Sequence, residues 1–158
     1  MRLALYQPDI PQNAGTMMRM AACLGVAVDL IEPAGFDASD RNLRRAGLDY
    51  LDQLELARHV SFADFDTARR KTGARLVLAT TRGAVPYVAF GFRPDDIVMV
   101  GRESAGVPDM VHDAADARIV VPMRAGLRSL NVAVSAAMIL GEALRQTGFP
   151  PGDGQATL

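Results

Sequence analysis

The chain has 158 residues, 49% of them hydrophobic and 22% charged, with a formal net charge of −1, which describes one globular domain with an apolar core and leaves little room for a second. No apolar run approaches the ~20 residues that span a bilayer, and the start Met1-Arg2-Leu3-Ala4-Leu5-Tyr6-Gln7-Pro8 turns polar too soon for a secretory signal. The single cysteine, Cys23, excludes a disulfide framework, so a cytoplasmic protein is the expectation.

Residues 2–6 read as a first strand, ended by Pro8 and Pro11. Asn13 is placed to cap a helix through Leu24, which Gly25 stops; Cys23, beside Leu24, reads as a small core residue. Residues 26–31 form a second strand, closed by Pro33 and Gly35. A short charged helix over 40–46 ends at Gly47, and Ser61 opens a helix over 62–72 that Gly73 ends. Short apolar runs at 75–79, 96–100 and 118–121 have the character of buried strands. Residues 130–146 form a helix that is apolar almost all round, from Val132 and Val134 to Met138, Ile139 and Leu140. Such a helix is covered on every side, in a chain this short by its own fold and by a second subunit. Strands alternating with helices predict an α/β domain with a parallel sheet over 1–149, and residues 150–158 form a flexible tail.

Three loops, each following an expected strand, carry the chemistry: 13–19, 101–108 and 121–131. In open α/β sheets ligands sit beyond the carboxyl ends of strands, where glycines let the backbone approach them. There is no GxGxxG for a dinucleotide and no GxxxxGK[ST] for a P-loop. The run Gly101-Arg102-Glu103-Ser104-Ala105-Gly106 fails as a nucleophile elbow, because Arg102 stands where glycine is required; a hydrolase using Ser104 is therefore disfavoured. His59 and His112 have no third ligand near them in sequence, so no zinc site is expected.

At these loops the chain resembles the SPOUT RNA methyltransferases, specifically the short TrmH-like group that modifies the wobble nucleotide of tRNA. Asn13, Gly15 and Arg19 meet the first motif of that family, Asn-x-Gly-x-x-x-Arg. Gly101, Glu103, Gly106, Val107 and Pro108 meet the second, and Val121, Pro122, Met123, Ser129, Leu130 and Asn131 the third. The stretches 31–36 and 43–50 are similar to those of the wobble subgroup, and the resemblance spans roughly residues 2–149. Three motifs in order at the right spacing are far more specific than any one of them.

The resemblance implies a single SPOUT domain, its parallel sheet flanked by helices and its C-terminal part, roughly 75–147, tied in a deep trefoil knot, a rare exception to unknotted connectivity. It also implies a homodimer joined through the knot and the C-terminal helix. S-adenosylmethionine is the implied cofactor, held by Ala79, Gly101, Glu103, Val121, Met123, Ser129 and Leu130, with Glu103 alternatively anchoring loops across the knot. The implied reaction methylates the ribose 2′-hydroxyl of a wobble cytidine or uridine in a tRNA anticodon loop, with neither metal nor membrane involved. A catalytically silent knotted binder of RNA or cofactor, and a methyltransferase acting on another RNA site, are the rival readings.

By motif, Arg19 takes the catalytic role and Asn13 and Asn131 orient the ribose. A free guanidinium stays protonated below a pKa of ~12, so the physical role for Arg19 is to bind the neighbouring phosphate and stabilise the forming alkoxide. The proton then passes to phosphate, to water or to a perturbed arginine. Arg44, Arg45, Arg124 and Arg128 are the candidates for contact with RNA phosphates; for Arg44 and Arg45, with Arg41, a solvated face paired with nearby aspartates is an equal alternative. Net charge speaks against RNA, yet sixteen of the seventeen basic residues are arginine, whose fork suits phosphate. Two subunits can gather those arginines along one groove, and an exposed anticodon nucleotide suits recognition without an added RNA-binding domain.

Overall fold

The computed structural model describes residues 1–39, 42, 51–83 and 85–149; the expected charged helix over 40–46, with Arg41, Arg44 and Arg45, and the tail over 150–158 lie outside the described residues. The strands are β1 (Arg2–Tyr6), β2 (Ala27–Ile31), β3 (Leu56–His59), β4 (Leu76–Ala79), β5 (Val85–Pro86), β6 (Ile97–Val100) and β7 (Ala117–Val120). The helices are α1 (Pro11–Cys23), α2 (Phe62–Thr72), α3 (Asp109–Ala114) and α4 (Val132–Thr147). The strands form one seven-stranded sheet in the order β3-β2-β1-β6-β4-β7-β5, with every pairing parallel.

Both faces of this sheet are covered, which is why its central strands are unbroken apolar runs. Leu3, Leu5, Val98 and Val100 face one layer with Met17, Met18 and Ala21 of α1 and Ala136, Ile139 and Leu140 of α4. Ala4, Tyr6, Ile97 and Met99 face the other, with Phe62 and Phe65 of α2 and Val111 of α3. The period-2 alternation of strand side chains thus sorts one apolar run into two cores. The α2 boundaries follow from local chemistry: the Ser61 hydroxyl accepts from the Asp64 amide at 3.1 Å, and Gly73 closes the helix at φ 74°. Arg69, buried on α2, ties Asp66 at 2.7 Å to Asp116 at 2.6 Å and so fixes α2 against the start of β7.

Three expectations need correction. Asn13 is no N-cap: α1 begins at Pro11, with Ile10 at the cap position, because proline at N1 is pre-set for the first turn. Cys23 is exposed, since the last turn of α1 carries it off the face that buries Ala21. Strands β3 and β5 and helix α3 are additional to the expected elements. Helix α4 buries Ala133, Ala136, Ile139, Leu140, Ala143 and Leu144 and leaves Val134 50% and Met138 38% exposed; the chain itself covers only one side of this helix. Among the described residues no helix is long and apolar enough to cross a membrane, and no cluster of His, Cys, Asp or Glu could hold a metal ion.

Candidate active site

The adjacent strands β6, β4 and β7 end at a common cavity of about 680 Å³, within the ~300–1,000 Å³ typical of ligand sites. It brings together the residues singled out by motif from four separate segments: Ala79, then Gly101 and Glu103, then Val121 and Met123, then Ser129, Leu130 and Asn131, with Asn13 of α1 at the edge. Arg128 also lines it. Two of the candidates are elsewhere: Arg124 is exposed on the same segment without lining the cavity, and Arg19 is exposed on α1, two turns beyond Asn13.

The loop after β6 is shaped by its glycines. Arg102 and Gly106 exchange backbone hydrogen bonds of 3.1 and 2.8 Å, and Gly106 closes this turn at φ +65°. Gly101 passes so near that a Cβ on it would lie 2.7 Å from the Gly106 carbonyl carbon.

A chain of hydrogen bonds crosses the cavity edge. The Glu103 carboxylate accepts from the Asn13 side-chain amide at 2.9 Å and from the Asp9 backbone N–H at 3.1 Å. The Asn131 amide donates to the Asn13 carbonyl oxygen at 3.0 Å. The Asn131 oxygen accepts from the Ala133 and Val134 amides at 2.9 and 3.3 Å, capping α4 in the manner expected of Asn at that position. Glu103 therefore does anchor loops, whatever else it contacts. Asp9 is held at about 2, by its contacts with Glu103 first and then by the Ser104 hydroxyl and the Glu103 and Ser104 amides. The Ser104 hydroxyl donates to Asp9, whereas His59 is paired with Asp29; nothing here assembles a serine hydrolase.

Sequence reasoning missed Thr80, Thr81, Arg82, His112, Ser135 and Ile139 of the cavity wall. The first three had a usable signal, a glycine-ended loop (Gly83) directly after an expected strand. Arg82 reaches Asp109 at 3.2 Å. His112 is buried, and that burial, followed by the positive charges of Arg82 and Arg118, lowers its pKa from the ordinary 6.5. Below pH 6.5 the unfolded chain then binds a proton that the folded chain resists. Stability is accordingly expected to decline as pH falls from 6.5 to the lowered folded value, and to level off below it. Thermal melts between pH 7 and 5 check this: His112→Gln should remove part of the decline, and an unchanged slope would show that another group drives it.

A concave cleft beyond the carboxyl ends of a doubly covered parallel sheet, part apolar and part lined by converging amides and arginines, is the ligand-binding arrangement of an open α/β protein. Residues 1–141 match the SpoU rRNA Methylase family, and the chain belongs to that family. It is 66% identical over 146 residues to the tRNA (cytidine(34)-2'-O)-methyltransferase of Beijerinckia indica, covering 92% of this chain and 91% of that one. A solved structure described as structural insights into the 2-OH methylation of C/U34 on tRNA is similar at a TM-score of 0.85 and 43% identity, covering 92% of this chain and 94% of that one. The SpoU methyltransferase AviRb of Streptomyces viridochromogenes, solved with its cofactor AdoMet, is similar at a TM-score of 0.80 and 29% identity, covering 92% of this chain and 60% of that one.

Proposed function

We propose that this protein is an S-adenosylmethionine-dependent methyltransferase acting on the ribose 2′-hydroxyl of the wobble cytidine or uridine in a tRNA anticodon loop. The observation that carries the reading is the single cavity that gathers all seven cofactor residues of the motifs with Asn13 and Asn131 at its edge. Its residues fit the cofactor. Val100, Val107, Val121 and Ile139 offer apolar wall to an adenine ring, and Arg82, Arg102 and Arg128 offer positive charge to a carboxylate or to RNA phosphate. When bound, the cofactor supplies an electrophilic sulfonium methyl group.

The protein's task is to place and stabilise the attacking oxygen. The Asn131 oxygen is committed to the α4 cap, so its amide nitrogen must face Asn13; Asn13 then shows that nitrogen its oxygen and turns its own nitrogen to Glu103. Amide orientation is ordinarily ambiguous, but here it is fixed from both ends. Each asparagine keeps a second N–H, so the pair presents donors. Donors orient a ribose oxygen and stabilise negative charge developing on it; they do not remove a proton. Arg19 contributes a fixed charge toward the same oxygen or the adjacent phosphate.

Since Arg19 does not line the cavity of its own chain, a homodimer supplies it: exposed Val134 and Met138 on α4, with Leu130 and Ile10 beside the cavity, form the apolar surface that a second subunit covers, and the partner's Arg19 completes each site. Arg124 and Arg128, with Arg44 and Arg45, meet the RNA backbone. The knotted path is supported by connectivity. β7 lies beyond β4 from β6, and α4, which follows β7, packs back against β6 and α1, the return that a threaded 121–131 segment would make. A cytoplasmic setting goes with a tRNA substrate.

The test is to incubate the protein with tritiated S-adenosylmethionine and tRNA from a strain lacking the gene, then digest the RNA and locate the label by mass spectrometry. Label on the 2′-oxygen of the wobble nucleotide is the expected result. Label elsewhere in RNA would redirect the substrate, and cofactor binding without any transfer would overturn the enzymatic reading.

A further inference from the structure

We propose that Asp9 is a positioning residue for methyl transfer: it latches the 101–106 loop to the start of α1 and thereby sets Glu103, through which the Asn13–Asn131 donor pair is oriented. The inference rests on the proposed methyltransferase activity and assigns to it a residue outside the three motifs.

The latch is reciprocal. The Asp9 backbone N–H donates to Glu103 Oε2 at 3.1 Å, and the Glu103 backbone N–H donates back to Asp9 Oδ1 at 3.1 Å. The second carboxylate oxygen of Asp9 takes the Ser104 hydroxyl, with the Ser104 amide more distant at 3.4 Å. An acceptor-only carboxylate is the group that can take all three donors of this turn at once. Glu103 has one oxygen left, and Asn13 uses it. Asp9 in the β1–α1 loop thus joins segments 94 residues apart in sequence, and Asn13 extends the tie to Asn131, 118 residues on. Gly35 closes against the same residue. A Cβ there would lie 2.8 Å from the Asp9 Cβ, so the backbone around Asp9 has no room to relax toward it.

Removing the latch lets Glu103 and the Asn13 amide drift while leaving the apolar cofactor wall in place. Misplacement by about 1 Å can cost up to ~10²-fold in rate. Asp9→Asn is therefore expected to lower kcat at least about 10-fold, with KM for tRNA within about threefold, and Asp9→Glu, which keeps the carboxylate, to restore part of the loss. A residue that only holds the loop folded would give the first result too, so the deciding measurement is a double-mutant cycle. In an Asn13→Ala background, Asp9→Asn should cost less than about twofold further. Losses that multiply, or full activity in Asp9→Asn, would overturn the proposal. If Asp9→Asn does not fold, Ser104→Ala removes one bond to the same carboxylate and carries the same cycle. Wild-type protein assayed alongside separates the two failures, because an inactive wild type sinks the methyltransferase reading itself.

Discussion

Arg19→Ala is expected to lower kcat by roughly 10²–10³, the range for deleting one preorganised group that stabilises transition-state charge, while S-adenosylmethionine affinity stays within about twofold. The second half of that expectation comes from position. Arg19 is absent from the cavity wall, and six residues of helix separate it from Asn13, about 9 Å along the axis. Arg19→Lys keeps the charge but loses the planar fork, and a loss of about 10-fold is expected of it.

Mixing subunits tests where Arg19 acts. Arg19→Ala and Asn13→Ala chains, each impaired alone, should recover on co-refolding to about a quarter of wild-type activity, because random pairing makes half the dimers mixed and gives each mixed dimer one intact site. Recovery requires that Arg19 of one chain serve the cavity of the other. Its absence, with dimers demonstrated by light scattering, would mean that Arg19 serves its own chain and that the second subunit contributes nothing to the chemistry.

How legible the molecule is in its sequence depends on whether a feature is local. The runs at 2–6, 26–31, 75–79, 96–100 and 118–121 match strands to within a residue or so at each end, because strands buried on both faces are unbroken apolar runs. β3, Leu-Ala-Arg-His, carries no such signal: it sits at the sheet edge, and its polar residues are stabilised by distant partners, Arg58 by the Ala38 carbonyl and His59 by Asp29. β5 is two residues with a proline, again at an edge, and α3 is too short for periodicity to register. Asn13 has the propensity of a cap, but Pro11 is the stronger start signal and begins the helix two residues earlier. For the site, motif spacing located the loops but not their couplings. Asp9 with Glu103, and Asn13 with Asn131, are bonds between residues about a hundred positions apart, which only the folded sheet brings together.

Gly101→Ala is expected to reduce S-adenosylmethionine affinity at least about 100-fold and to lower the melting temperature as well. The added methyl would meet backbone on both counts, 2.7 Å from the Gly106 carbonyl carbon and 2.9 Å from its Cα, so no side chain can swing aside to admit it. The turn must open, breaking the Arg102–Gly106 bridge and displacing Glu103 next along the chain. Overpacking of this kind costs about 1–3 kcal/mol, which in a domain of this size corresponds to several degrees at about 2–4 °C per kcal/mol. Gly91→Ala is the matched control: a Cβ there meets nothing within 4 Å, so melting temperature and cofactor binding should both hold. Calorimetric titration of the three proteins with S-adenosylmethionine reads the result directly. A Gly101→Ala variant that melts early yet binds with wild-type affinity would move the cofactor out of this cavity; loss of binding confined to Gly101→Ala would tie the cofactor to the end of β6, where the turn closes against Gly106 only because residue 101 has no side chain.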